Sequence, residues 1–138
     1  MIKIQKKNFN IEDEIQIIKD NHTSIGAANT FIGYVRDLNN NQDVKYIDLE
    51  VYNEMAFREL NKIEKKAIIK WDLIDCLIIH RYGKLHVNDK IVLVACFSKH
   101  RNNSFEACRF IMDYLKKDAP LWKKEYYSEG SNWLKNSN

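Results

Sequence analysis

The spacing of apolar and polar residues changes from one stretch of the chain to the next, and each change marks an element. Residues 2–5 (IKIQ) suit a short edge strand. Asn10 suits the N-cap of a helix over residues 12–20, with Ile11, Ile15 and Ile18 on one face. After a polar break at 21–24, the run 25–35 (IGAANTFIGYV) predicts a strand. Gly26 and Gly33 inside it mark a bulge or a close backbone approach. Residues 37–43 (DLNNNQD) are the most polar stretch and predict a mobile loop. Residues 44–52 alternate, with Ile47, Leu49 and Val51 on one side and Tyr46, Asp48, Glu50 and Tyr52 on the other. Asn53 then predicts the cap of a long helix carrying Ala56, Leu60, Ile63 and Ala67 as far as Trp71. Residues 74–80 and 91–97 predict two apolar strands. Between them Gly83 permits a turn, 85–87 a short return, and Asn88 with Asp89 a tight turn.

The stretch 100–125 (HRNNSFEACRFIMDYLKKDAPLWKKE) reads as basic turn, helix, break, basic turn. Asn103 or Ser104 is the expected cap, and Glu106 stands three residues after Asn103 as in a capping box. Phe105, Cys108, Met112 and Leu115 predict the buried stripe. Pro120, the only proline, ends the helix near Lys117 and leaves Lys123 and Lys124 just past the break. Residues 130–138 read as a loose C-terminus, with Trp133 as a possible anchor.

Strands and helices mix without a regular βαβ rhythm, and at least one hairpin is present. The expected class is therefore α+β. The 138 residues fit one domain, 1–138. A hydrophobic content of 45% excludes a disordered chain, and a net charge of +3 favours an anionic ligand without demanding nucleic acid. No apolar run reaches a membrane span and no signal peptide opens the chain. Cys76, Cys96 and Cys108 have no CxxC spacing and sit in apolar patterns, as reduced buried thiols of a cytoplasmic protein do.

The chain has no GxxxxGK[ST], GxGxxG or HExxH motif, and His22, His80, His86 and His100 do not pair with cysteines at zinc spacing. Neither a metal nor a bound cofactor is expected. No cysteine is an evident nucleophile. The chemistry on offer is cationic: Arg36 ends one strand, His100 and Arg101 end another, Lys116 ends a helix, and Lys123 and Lys124 follow Pro120. If these ends meet, they form an anion pocket, and crowding lowers a lysine pKa toward a free amine. Each residue also has a plainer reading. Lysines suit the last turn of any helix, Arg36 and Arg101 suit surface ion pairs, His100 suits a half-exposed turn, and His80 and Arg81 suit a structural strand end.

The order of segments decides between these readings. GAANTFIGYVRD, LEVYNEMA, IIHRYGKL, SKHRNNSFEACRFIMDYLK and APLWKKE together resemble the large, catalytic subunit of molybdopterin synthase from about Gly26 to Trp133. The resemblance implies an α/β hammerhead-type fold with mainly antiparallel strands. It implies a homodimer that binds two small ubiquitin-like subunits as a heterotetramer. Each small subunit carries a C-terminal Gly-Gly thiocarboxylate, whose sulfur converts cyclic pyranopterin monophosphate into the dithiolene of molybdopterin. Lys116 and Lys123 match the family's active-site lysines, and Arg36, His100 and Arg101 match its substrate-anion and pocket residues. Asn88 stands where a turn glycine is common, and the 39–42 loop lacks the family's usual glycine. The alternative is a non-catalytic module whose basic patch binds RNA or an acidic protein.

Overall fold

The computed structural model describes residues 1–39, 42–119, 121–127 and 130–135; residues 38–39, 42–43, 121–127 and 130–135 are described by backbone alone. Its first layer is a four-stranded sheet in the order β1 (Ile2–Gln5), β5 (Asp75–Arg81), β7 (Lys90–Ser98), β2 (Ala27–Tyr34). The β1 strand lies at the edge, as its pattern predicts, and runs parallel to β5; the β5–β7 and β7–β2 pairs are antiparallel. Both faces of β5 and β7 are covered, which is why these strands read as continuous apolar runs rather than alternating ones.

One face carries Leu77, Ile79, Leu93, Ala95 and Phe97 and packs under α1 (Ile11–Asp20) through Ile18, with Ile11 and Ile15 partly buried. The Asn10 side chain caps that helix, accepting from the Asp13 N–H at 3.0 Å. The other face carries Cys76, Ile78, Val92, Val94 and Cys96 under α2 (Asn53–Trp71) and α3 (Arg101–Lys117). The long helix α2 buries Ala56, Leu60, Ile63 and Ala67 as expected. Its cap differs from the expectation. Asn53 is already helical, Tyr52 is the N-cap, and the Tyr52 carbonyl accepts from Ala56 N–H at 2.8 Å.

A second sheet is built on β4 (Gln42–Val51), which pairs with β6 (Gly83–His86) on one side and β8 (Leu121–Tyr127) on the other; β9 (Gly130–Lys135) lies beyond β8. This corrects two expectations. The polar stretch 37–43 is a hairpin in which β3 (Leu38–Asn39) pairs with the start of β4, although residues 40 and 41 lie outside the described residues. The stretch after Gly130 is not a loose end but a strand, with Trp133 in register with Lys124. Lys123 and Lys124 therefore lie within β8 and not in a basic turn. Trp133's side chain and Pro120 lie outside the described residues, as do residues 136–138.

The start of α3 also departs from the sequence reading. Lys99 and His100 are all that separates β7 from a helix beginning at Arg101, so Asn103 and Ser104 fall inside the first turn and cannot cap it. The Asn103 amide instead donates to the Trp71 carbonyl at 2.7 Å, satisfying the C-terminal end of α2. Ser104 Oγ donates to the Arg101 carbonyl at 2.9 Å. The buried stripe is Ser104, Ala107, Cys108, Ile111 and Leu115. Phe105, expected in that stripe, is 58% exposed, and Met112 is half-buried.

Candidate active site

A seam runs between β2 and α3. In it Phe31, Gly33 and Tyr34 from β2, His80 from the end of β5, Ile91 and Val92 from β7, and Met112, Leu115 and Lys116 from α3 enclose a cavity of about 70 Å³. Local strand geometry opens it. Gly33 pairs with Val92, Tyr34 pairs with Lys90, and Ile91 is the extra residue of a bulge. A Cβ on Gly33 would lie 2.8 Å from Val92 Cγ1, so any larger residue closes the floor. Farther along the same seam, a groove of about 490 Å³ runs past Phe31 and Met112 to Asn29, Phe105 and Arg109. The two spaces share Phe31 and Met112, making one cleft with exposed aromatic residues, Phe31 and Phe105, along its lip.

His80 is 3% exposed, and its Nδ1 lies 2.9 Å from the Arg81 carbonyl. A carbonyl only accepts, so Nδ1 carries the proton. Burial pushes the pKa of this imidazole down to about 4, with the Arg81 carbonyl opposing the shift, and the ring is neutral near pH 7. Arg81 fits the structural reading of the strand end: its Nε donates to the Lys6 carbonyl at 3.1 Å and its Nη1 to the Lys90 carbonyl at 2.9 Å.

The expected site residues fall into two groups. Arg36 follows Val35 at the C-terminal end of β2, where Val35 is tied to the Asn88–Asp89 turn by bonds of 2.9 and 3.0 Å. Lys116, in the last turn of α3, lines the cavity at this same end. The backbone of Lys123 stands opposite Leu49 in the β4–β8 ladder; its side chain lies outside the described residues. His100 and Arg101 stand at the other end of the molecule. In the antiparallel β2–β7 pair, Ala27 faces Ser98 while Tyr34 faces Lys90, and α3 then spans about 22 Å from Arg101 to Lys116. A single chain does not bring all five together.

Arg36, His100, Arg101 and Lys116 are exposed and make no ion pair among the described residues. Cys76, Cys96 and Cys108 are free and buried, as expected. The neighbouring thiols Cys108 and Cys76, and burial, hold Cys96 protonated; hydrogen bonding from Cys96 lowers the Cys108 pKa against the opposing effect of burial. No group of metal-ligating side chains occurs among the described residues, and no helix there is long and apolar enough to cross a membrane. Sequence reasoning did not single out Phe31, Tyr34 or Met112 as site residues. The signal for that wall was Gly33 set among Phe31, Ile32 and Tyr34.

Known proteins share this fold and much of this sequence. The family model described as MoaE protein matches residues 4–118. A molybdopterin synthase catalytic subunit from Ralstonia nicotianae is 47% identical over 96% of this chain and 76% of its own length; one from Pyrococcus abyssi is 39% identical over 93% and 85%. Among solved structures, a molybdopterin synthase from Staphylococcus aureus superposes with a TM-score of 0.89 at 30% identity, covering 96% of both chains. A chain from Helicobacter pylori, solved as a complex of subunits 1 and 2 of molybdopterin-converting factor, shares the fold at TM-score 0.81 and 19% identity, over 97% of this chain and 90% of its own. With its α+β, mainly antiparallel hammerhead-type architecture and its β2–α3 cleft, this chain belongs to the MoaE family, that of the molybdopterin synthase catalytic subunits.

Proposed function

We propose that this chain is a sulfurtransferase, the catalytic subunit of a molybdopterin synthase. It takes sulfur from the thiocarboxylated C-terminal Gly-Gly of a small ubiquitin-like subunit and delivers it to cyclic pyranopterin monophosphate, forming the dithiolene. The observation that carries this reading is the inner cavity of the cleft: small, lined mainly by apolar side chains, and bordered by Lys116, which has no ion-pair partner among the described residues. A glycine tail has no side chains to clash in a space of about 70 Å³. Its anionic end meets the Lys116 ammonium in a charge-assisted contact. The nucleophilic sulfur arrives on the partner, which agrees with all three thiols of this chain being buried.

Arg36, at the same end, holds the substrate phosphate with its planar fork. Lys123 is the second amine, the one nearest the chemistry. His100 and Arg101 complete the substrate site from a second copy of the chain, because about 22 Å separates Arg101 from Lys116 within one copy. The working assembly is accordingly a homodimer with two small subunits, and it needs no cofactor of its own.

The test is product formation from cyclic pyranopterin monophosphate and purified thiocarboxylated partner. Lys116→Ala should lower turnover by about a hundredfold or more, with Lys116→Arg less affected. Wild-type turnover that is undetectable, or untouched by Lys116→Ala, would reject the assignment.

A further inference from the structure

The floor of the cavity holds one buried polar side chain, His80, among Phe31, Gly33, Val92, Met112 and Leu115. Its Nδ1 is committed to the Arg81 carbonyl, which leaves the lone pair of Nε2 on the opposite edge of the ring. Among the described residues no fully enclosed side-chain nitrogen or oxygen lacks a partner. Nε2 has no partner among the described residues and is not fully enclosed, and the space that His80 lines is this cavity. The row that runs from His80 across Val92 to Gly33 keeps this approach open, because Gly33 has no Cβ to fill it. A histidine serving only to tie off a strand end has no need of such a space.

We propose that His80 is a ligand-binding residue of the sulfur-transfer site, its Nε2 accepting a hydrogen bond from an N–H or O–H of the group that enters the cavity beside Lys116. The inference rests on that cavity being the sulfur-transfer site. An unprotonated imidazole offers only an acceptor at Nε2, while the Lys116 ammonium offers only donors. Together they select a group that carries a donor next to an anion or carbonyl. Two sources supply that chemistry: the last peptide N–H before the thiocarboxylate, and a hydroxyl of the pterin substrate. Burial keeps the ring neutral, so it does not repel the neighbouring ammonium.

The direct measurement is the ¹⁵N spectrum of the intact protein labelled at histidine, with the His80 signals identified by their loss in His80→Gln. The Nε2 resonance should be of the unprotonated type in the free protein and should move upfield on adding one component. A shift with the thiocarboxylated small subunit alone identifies the tail N–H; a shift with cyclic pyranopterin monophosphate alone identifies the substrate hydroxyl. Calorimetry gives the second readout. His80→Leu should weaken affinity for that same component about tenfold, and His80→Gln, which retains an acceptor, should weaken it less. An Nε2 signal unmoved by both components in a sample that turns over would overturn the proposal and leave the sulfur-transfer reading standing. So would a folded His80→Leu with unchanged affinity for both. A wild-type protein that binds neither component and forms no product would overturn the sulfur-transfer reading and the role of His80 with it. Should His80→Leu fail to fold, the wild-type spectrum still decides.

Discussion

Among single residues, His80 links the site to stability. Its pKa in the folded protein, about 4, lies below the ordinary 6.5. As pH falls, the unfolded chain takes the proton first, so stability is lost from about pH 6.5 down toward 4. Between pH 7 and pH 5 this group alone should remove about 2 kcal/mol. Urea unfolding of wild type and His80→Leu at the two pH values measures it: the loss should be smaller in the variant by that amount. Lys123 poses a chemical question. Arg keeps the charge but cannot release a proton. If the amine does more than attract an anion, Lys123→Arg should fail as completely as Lys123→Ala, by about a hundredfold or more, while calorimetry shows partner binding intact. Near-normal turnover in Lys123→Arg would reduce the site to an electrostatic clamp. The cysteines should behave in the opposite way. Replacing Cys76, Cys96 and Cys108 with Ala or Ser should cost stability through lost packing yet leave the turnover of folded protein unchanged.

At the level of elements, the β7–α3 junction is closely packed against the start of β2. A Cβ on Gly26 would lie 2.1 Å from the Lys99 carbonyl oxygen, a backbone atom that cannot swing aside. Gly26→Ala should therefore destabilise by about 1–3 kcal/mol, read as a fall in urea midpoint with unchanged slope. Most elements were legible in the sequence because period and breaks agreed: the Asn10 cap, the α2 stripe and the two apolar strands needed no tertiary information. What escaped depended on where one element ends against another. Asn103 looked like a cap because local spacing cannot show that β7 runs to Ser98 and hands over directly to a helix. The expected stripe shared Cys108 and Leu115 with the observed one, but the buried face is centred on Ser104, Ala107 and Ile111, which leaves Phe105 on the cleft lip. The 37–43 stretch is polar and yet paired: Leu38 stands in register with Asp43 and Asn39 with Gln42. The candidate site residues could be listed by type and order, but their separation could not be read. It follows from β2 pairing antiparallel with β7, and strand pairing leaves no mark in local composition.

At the scale of the whole molecule, two exposed aromatic residues on the cleft lip and two groups of unpaired cations at opposite ends suit a protein that works in assembly. Light scattering should report a dimer at micromolar concentration, enlarged by two small subunits on addition of the partner. A monomer under both conditions would leave His100 and Arg101 without a route to Lys116.

The distance between the two ends of α3 has a genetic consequence. If each centre draws Lys116 from one copy and Arg101 from the other, two defective alleles can repair each other. In a mixed dimer of Lys116→Ala and Arg101→Ala chains, one centre inherits both lesions and the other inherits neither. Random reassortment of equal amounts makes half of the dimers mixed, so about a quarter of wild-type turnover should return from two nearly inactive proteins. Activity that stays at the sum of the two inactive parents after subunit exchange would show that every centre is built within a single copy.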